Sequence, residues 1–331
     1  MAGMYRSRVA GIGSYLPEKV LSNFDLEKMV DTSNDWIVER TGIERRHIAA
    51  EGEATSDLSV KAAQKALEDA KLKPEDIDMI IVGTVTSDRQ MPSTACYLQS
   101  KLGCRNVFAF DLNAACSGFL YGVSVADQFI RTGMYKNILV VGAEVLHRFV
   151  NYQDRETCIL FGDGAGAWIV SRAAEGDTNV IESTHLHADG DLADLLTLPG
   201  GGSIQPQSQE VLDKKLNYVS MKGREIFKSA VRTMALCCKE ALEYNKMSPD
   251  EIDWIIPHQA NKRIIEAVAG QFNFPMERMI VYLQETGNTS AASIPLAFDW
   301  AVQNGKIKRG QTILLTAFGA GLTSGSVLLR Y

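Results

Sequence analysis

Pro74-Glu75-Asp76-Ile77-Asp78-Met79-Ile80-Ile81 returns further along the chain as Pro249-Asp250-Glu251-Ile252-Asp253-Trp254-Ile255-Ile256, at a shift of 252 − 77 = 175 residues. Asn113 falls on Asn288 at the same shift, and Leu139-Val140-Val141-Gly142-Ala143 falls on Leu314-Leu315-Thr316-Ala317-Phe318. A helix-like pattern precedes each Pro-x-x-Ile-Asp segment, at residues 56–71 and 223–244. A repeat this long is not a solenoid unit. It implies two similar α/β halves, 1–175 and 176–331, produced by duplication and packed against each other. Each half reads helix, strand, helix, strand, strand, which predicts mainly parallel sheets with helices on their faces. Residues 183–223 fit neither half, are rich in Gly, Asp, Gln and Ser, and suggest an insertion or lid. No Pro- or Ser-rich linker divides the halves, so one rigid interface is expected.

Composition narrows the function classes. The 331 residues are 46% hydrophobic and 22% charged, as in an ordinary soluble globular protein. Net charge is 34 − 40 = −6, which argues against general nucleic-acid binding. The six Cys contain no C-x-x-C, so neither a disulfide framework nor a zinc site is expected, and a reducing cytoplasm fits best. The N-terminal residues show no apolar h-region, and no apolar stretch approaches the ~20 residues of a membrane helix.

Cys116 lies between the strand-like run 106–112 and the helix-like run 117–130. A thiol at a helix N-terminus meets unpaired N–H groups and the positive end of the dipole, both of which favour the nucleophilic thiolate. Burial as a plain core cysteine is the competing reading. Downstream, Pro257-His258-Gln259-Ala260-Asn261 follows a strand-like run, and Gly287-Asn288-Thr289-Ser290-Ala291-Ala292-Ser293 is a small-residue turn opening a helix-like run. Cys, His and Asn meeting in space is the general make-up of a nucleophilic site. Strand ends from two related halves can converge at their junction, where sites are common.

Taken together, Asp111-Leu112-Asn113-Ala114-Ala115-Cys116-Ser117-Gly118-Phe119 and the His258 and Asn288 segments resemble β-ketoacyl-acyl-carrier-protein synthase III, of the thiolase fold. The resemblance spans nearly the whole chain, including Gly11–Pro17, Asp31–Ile37, Arg40–Ile43, Phe161–Ala167 and Ala317–Gly321. It implies a five-layered αβαβα core of two duplicated halves, and a homodimer. It implies that Cys116 accepts the acyl group of a short acyl-coenzyme A. His258 and Asn288 would donate hydrogen bonds to the thioester oxygen of malonyl-carrier protein as carbon dioxide leaves. The backbone N–H groups of Cys116 and Ala320 would form the oxyanion hole, with Ala320 standing where many relatives have Gly. Thr32, Trp36, Arg40 and Arg155 would bind coenzyme A, the adenine stacking between Trp36 and Arg155. Lys228, Gln259 and Arg263 would receive the acyl-carrier protein. Phe161 and Met91 would shape the acyl pocket, Met91 from the partner subunit. Coenzyme A thioester enters as substrate, with no cofactor and no metal.

Other features divide between chemistry and packing. Arg224, Lys228 and Arg232 share one helix face, which is either a solvated stripe or a dock for an acidic partner. His185-Leu186-His187-Ala188-Asp189 could offer metal ligands, but strand alternation explains it as well. Gly200-Gly201-Gly202-Ser203 lacks the Lys of a phosphate loop and reads as a flexible turn near the site. Phe161-Gly162-Asp163-Gly164-Ala165-Gly166 misses the dinucleotide spacing and reads as close glycine packing. Three rival functions stand beside the condensing enzyme. They are a thiolase-fold acyltransferase or ketosynthase of secondary metabolism with another acceptor, a Cys-His-Asn hydrolase, and a non-catalytic scaffold.

Overall fold

The repeated Pro-x-x-Ile-Asp segments build the same local structure twice. Pro74–Asp76 and Pro249–Glu251 are each a 3₁₀ turn with Pro at its first position, where no N–H is missed. The turn's acidic residue accepts the N–H three residues back, Lys73 N to Asp76 and Ser248 N to Glu251, both at 2.8 Å. Asp78 then receives the Asn137 N–H at 2.9 Å, and Asp253 the Thr312 N–H at 2.7 Å. The second pair of partners is again 312 − 137 = 175 apart.

The computed structural model describes residues 5–331. Its first large sheet holds β1 (Ser7–Tyr15), β2 (Met79–Gly83), β3 (Phe108–Leu112), β4 (Asn137–Glu144) and β5 (Gly164–Arg172), in the order β1-β5-β4-β2-β3. The second holds β6 (Ile181–Ala188), β7 (Trp254–Pro257), β8 (Thr312–Gly319) and β9 (Thr323–Arg330), in the order β6-β9-β8-β7. The orders coincide strand for strand, and a parallel bridge from Met279 to Ile255 stands where β3 pairs with β2. Both sheets are mixed rather than mainly parallel. β2 runs parallel to β3 and β4, and β7 to β8, while the β1–β5, β4–β5, β8–β9 and β6–β9 pairs are antiparallel. The start of the supposed lid also belongs to the core, because β6 pairs with β9 along its length. The rest of that segment carries a short ladder, Leu196–Thr197 with Ser220–Met221, and the helix Gln209–Asp213.

Helices make three layers around the sheets. α1 (Thr55–Ala70) and α2 (Thr94–Leu102) cover the outer face of the first sheet. α4 (Gly223–Asn245) and α5 (Lys262–Phe272) cover the second. Between the sheets lie α3 (Gly118–Arg131) and α6 (Ser293–Gln303), apolar nearly all round, as a helix packed on both sides must be. α3 touches both sheets, and α6 packs on β1 and β5 and reaches β7. Phe119 of α3 and Phe298 of α6 meet Trp168 edge-on at 5.0 and 4.8 Å, an aromatic contact worth ~0.5–1.5 kcal/mol beyond burial. The arrangement is the five-layered αβαβα architecture. Among the described residues no helix is long and apolar enough to cross a membrane.

Candidate active site

The two buried helices start side by side, and each start carries chemistry. Cys116 occupies the 3₁₀ turn Ala115–Ser117 that leads into α3. Its equivalent turn, Ser290–Ala292, leads into α6. Ala115 and Ser290, 290 − 115 = 175 apart, both hold positive φ, 45° and 49°. Gly319 at the end of β8 lies against the Cys116 backbone, where an added Cβ would stand 2.6 Å from Cys116 N. Burial pushes the Cys116 thiol up to about 12. The expected ease of ionisation is therefore reversed: desolvation disfavours the thiolate more than the helix start favours it.

His258 and Asn288 line the same cavity as Cys116. The His258 N–H continues the β7–β8 pairing by donating to Thr316 O at 2.8 Å. Its Nδ1 lies 2.7 Å from Ser293 Oγ, which also accepts the Gln259 N–H at 3.3 Å. The Ser293 hydroxyl proton has no other bonded acceptor, so it goes to Nδ1, and the hydrogen-bond network assigns the ring proton to Nε2. Burial lowers the imidazole to about 3, so the ring stays neutral. Asn288 is clamped by its backbone, with N–H to Leu160 O at 2.8 Å and O from Gly162 N–H at 3.0 Å. Gly287 before it needs its positive φ of 63°, and a Cβ there would stand 2.7 Å from Leu160 O. The Asn288 Oδ1 accepts the Ser290 N–H at 2.8 Å, which leaves its amide N–H₂ free to donate. The site thus presents two neutral donors beside a buried thiol.

The cavity encloses about 1150 Å³ and widens to a basic mouth. Arg40, Arg155, Lys222, Arg224, Lys228 and Arg263 line it against two acids, Glu156 and Glu225, on a chain of net charge −6. Trp36, on the helix Asn34–Thr41, is covered by the Arg40 guanidinium at 4.6 Å and by that of Arg155 at 4.9 Å. A purine between Trp36 and Arg155 needs two layers of ~3.5–4.0 Å, so Arg155 must swing outward to admit one. Its restraint is light and comes from Asp31 alone, a hydrogen bond to the carbonyl at 3.1 Å and a solvent-exposed ion pair with the carboxylate at 3.8 Å.

The structure separates other expected site residues from the cavity. Gln259 is a correction: it is 1% exposed, and its amide is saturated. It donates to Pro257 O and Ile280 O and accepts from Tyr282 N–H, so it braces the His258 loop and cannot meet a carrier protein. Met91 is 84% exposed and does not line this cavity. Phe161 does line it, and bridges to Asn288. Thr32 is outside the lining, with a buried hydroxyl that has no partner. Ala320 sits in the β8–β9 turn beside Gly319, its carbonyl accepting from Thr323 Oγ1 at 3.1 Å. Arg232 lies outside the mouth, unlike Arg224 and Lys228 on the same helix.

The Gly200–Ser203 turn, held by Gly200 N–H to Leu216 O at 2.7 Å, contributes nothing to the cavity lining. The glycines of Phe161–Gly166 pack closely, as expected: a Cβ on Gly166 would stand 2.6 Å from Pro295 and one on Gly162 2.3 Å from Thr286 O. His187 is held by Glu240 at 2.5 Å, and no group of three metal-ligating side chains forms among the described residues. Sequence reasoning missed Ser293, the partner of His258, and the buried Glu144 near Cys116. Ser293 had a signal, since it ends the small-residue turn Gly287–Ser293; Glu144 had none beyond ending a strand.

Known proteins are similar to this chain over nearly its whole length. Residues 110–190 match the family described as 3-oxoacyl-[acyl-carrier-protein (ACP)] synthase III, and residues 242–331 match its C-terminal part. The β-ketoacyl-[acyl-carrier-protein] synthase III of Caldanaerobacter subterraneus subsp. tengcongensis is 52% identical over 323 residues, 98% of this chain and 97% of that protein. The crystal structure of 3-oxoacyl-[acyl-carrier-protein] synthase III from Aquifex aeolicus superposes with a TM-score of 0.90 at 49% identity, covering 98% of this chain and all of that one. The priming β-ketosynthase of the R1128 polyketide pathway superposes at 0.91 with 33% identity, covering 99% and 97%. Duplicated halves, the buried Cys-His-Asn cavity and near-full-length identity agree, and the chain belongs to the β-ketoacyl-[acyl-carrier-protein] synthase III family of thiolase-fold acyltransferases.

Proposed function

We propose that this enzyme joins a short acyl group, acetyl from acetyl-coenzyme A, to malonyl-acyl-carrier protein, giving 3-ketoacyl-carrier protein and carbon dioxide at the start of fatty-acid synthesis. The observation that carries the reading is the pair of neutral donors, His258 Nε2–H and the Asn288 amide, facing one cavity with Cys116. In a hydrolase or any enzyme using histidine as base, Nε2 would need to accept a proton. Here the imidazole is neutral with Nδ1 occupied, which suits donation. Cys116 takes the acyl group as a thioester. When malonyl thioester loses carbon dioxide, negative charge grows on its carbonyl oxygen, and donors aimed there stabilise the transition state selectively. The resulting carbanion attacks acyl-Cys116, and the N–H groups of Cys116 and Ala320 receive the tetrahedral oxyanion.

Trp36, Arg40 and Arg155 grip the nucleotide of coenzyme A, with Thr32 beside them, and Lys228 and Arg263 meet the acidic carrier protein at the mouth. Thioester chemistry supplies the activation, so no resident cofactor or metal is required. Met91, exposed on its own chain, contributes to the acyl pocket of a partner in a homodimer. All six cysteines are free, which suits a reducing cytoplasm.

Resemblance to the polyketide priming enzyme at 33% identity supports a second reading, a priming ketosynthase of secondary metabolism. Intact mass after mixing with acetyl-coenzyme A, followed by malonyl-carrier protein, tests the first reading. It predicts stable acetylation at Cys116 and then a carbon–carbon product. Transfer only from longer or branched acyl groups selects the second reading. Absence of any acyl-enzyme overturns both.

A further inference from the structure

Glu144, at the end of β4, is fully buried and makes no ion pair among the described residues. Its Oε2 accepts from Thr86 Oγ1 at 2.6 Å, Thr84 Oγ1 at 3.1 Å and Val85 N at 3.1 Å. Those donors are fixed in turn, Thr86 Oγ1 by the Val145 N–H at 2.8 Å and Thr84 Oγ1 by the Thr86 N–H at 3.0 Å. Oε1 has only a share of the Val85 N–H, at 3.3 Å, and so keeps acceptor capacity. Ser290 lies within reach of both the Glu144 carboxyl and the Cys116 thiol. Its buried hydroxyl makes no aligned hydrogen bond in the resting site. Packing alone does not call for an unpaired carboxyl oxygen, an unpartnered hydroxyl and a thiol in one buried row.

We propose that Glu144 is a positioning residue that exchanges the Cys116 proton through the Ser290 hydroxyl. The inference rests on the assignment of Cys116 as acyl acceptor. As Cys116 Sγ bonds to the thioester carbonyl carbon, its proton passes to Ser290 Oγ, and the Ser290 proton passes to Glu144 Oε1. The bond from that carbon to the departing thiol breaks, and the released thiolate takes a proton from water. When condensation later breaks the acyl–Cys116 bond, the proton returns by the same route and restores thiol and carboxylate. The negative charge of the malonyl carboxylate, left behind as carbon dioxide departs, thus ends on Glu144. Burial raises this carboxyl to about 7, near the range where a group both takes and returns a proton. Of the groups around it, Cys116 is titratable, while Thr84, Thr86, the Val85 N–H and Ser290 are neutral. His258, which a thiol base would ordinarily be, is bonded to Ser293 instead.

The test is the rate of Cys116 alkylation by iodoacetamide against pH, read by peptide mass, which needs neither thioester nor carrier protein. The wild-type enzyme should lose rate as pH falls through about 7 and level off above it. Glu144→Gln and Ser290→Ala should each be about 10²-fold slower at pH 8, lack that limb and climb steadily toward high pH. Glu144→Asp should restore part of the limb. Ser290→Ala decides the matter if Glu144→Gln does not fold, because it leaves the carboxyl network intact. A limb that persists in Ser290→Ala, or an even slowing at all pH values in both variants, overturns the relay. Acylation by acetyl-coenzyme A is measured separately, so its failure in the wild-type enzyme would count against the proposed function and not against the relay.

Discussion

The two halves share a backbone but divide the reactive groups between them. At the constant shift of 175, Cys116 stands opposite Ala291, His258 opposite Gly83, Asn288 opposite Asn113, and Glu144 opposite Gly319. The turns at Ala115–Ser117 and Ser290–Ala292 match even in their strained first residue. Apart from the Asn113–Asn288 pair, where one half carries a reactive group the other has a residue small enough to let backbone close in. A Cβ on Gly83 would stand 2.7 Å from Gly118 C, and one on Gly319 2.6 Å from Cys116 N. Duplication therefore supplied a symmetric frame, and the chemistry came from making its two ends unequal. Cys116 and Glu144 belong to the first half, and His258 and Asn288 to the second.

The comparison can be broken most forcefully at the nucleophile. Cys116→Ala combined with Ala291→Cys moves the thiol to the equivalent turn, and acyl transfer should remain undetectable by intact mass. Ala291 O lies where a Cβ on Gly142 would touch it at 2.3 Å, and Gly83 offers no imidazole there. Acylation at residue 291 would show that position in the frame is sufficient. The donors come next. His258→Ala and Asn288→Ala should each slow condensation by about 10²–10³-fold, the usual cost of one oxyanion donor. Ser293→Ala, which releases Nδ1 of His258, should cost less, about 5-fold in condensation, in line with a net hydrogen bond of ~1 kcal/mol. Lys228→Glu and Arg263→Glu should have the smallest effect at physiological salt. They should weaken use of carrier protein several-fold, more at low ionic strength, and leave acylation by acetyl-coenzyme A closer to normal.

His258 and Glu144 also pull stability in opposite directions with pH. His258 binds its proton less readily when folded, so its contribution to stability is lost as pH falls from about 6.5 toward about 3. Glu144 binds its proton more readily when folded, so its contribution is present at low pH and is lost as pH rises from about 4.5 through about 7. Thermal midpoints from pH 5 to 8 should therefore fall less on the acid side in His258→Gln than in the wild-type protein. A parallel pair of curves would contradict the burial of a neutral imidazole.

The duplication was legible in the sequence because turn chemistry and strand hydrophobicity repeat in the chain itself. The strand following Ile77 and the strand following Ile252 repeat one hydrophobic pattern, and Asn113 recurs as Asn288. The mixed sheets were not legible, because β1 pairs with β5 more than 150 residues away and nothing local announces the direction of such a pairing. The thiol's environment was misjudged for a related reason. A helix start can be read locally, whereas the desolvation that outweighs it comes from both halves. Gln259 looked like a surface neighbour of His258 until its three bonds to Pro257, Ile280 and Tyr282 placed it inside. Glu144 was invisible because an acid ending a strand is ordinarily solvated.

The division of labour between the halves is tested most directly by measuring acyl-Cys116 and carbon dioxide in the same samples of His258→Ala and Asn288→Ala. Acetyl-coenzyme A is added first, intact mass is read, and malonyl-carrier protein follows. Charge builds on the malonyl oxygen only in the second half-reaction, so both variants should acetylate Cys116 at near-normal rates, accumulate acyl-enzyme and release little carbon dioxide. Variants that fail to acetylate yet still decarboxylate malonyl-carrier protein would show that His258 and Asn288 serve the thiol, and would contradict a division of the two half-reactions between the halves.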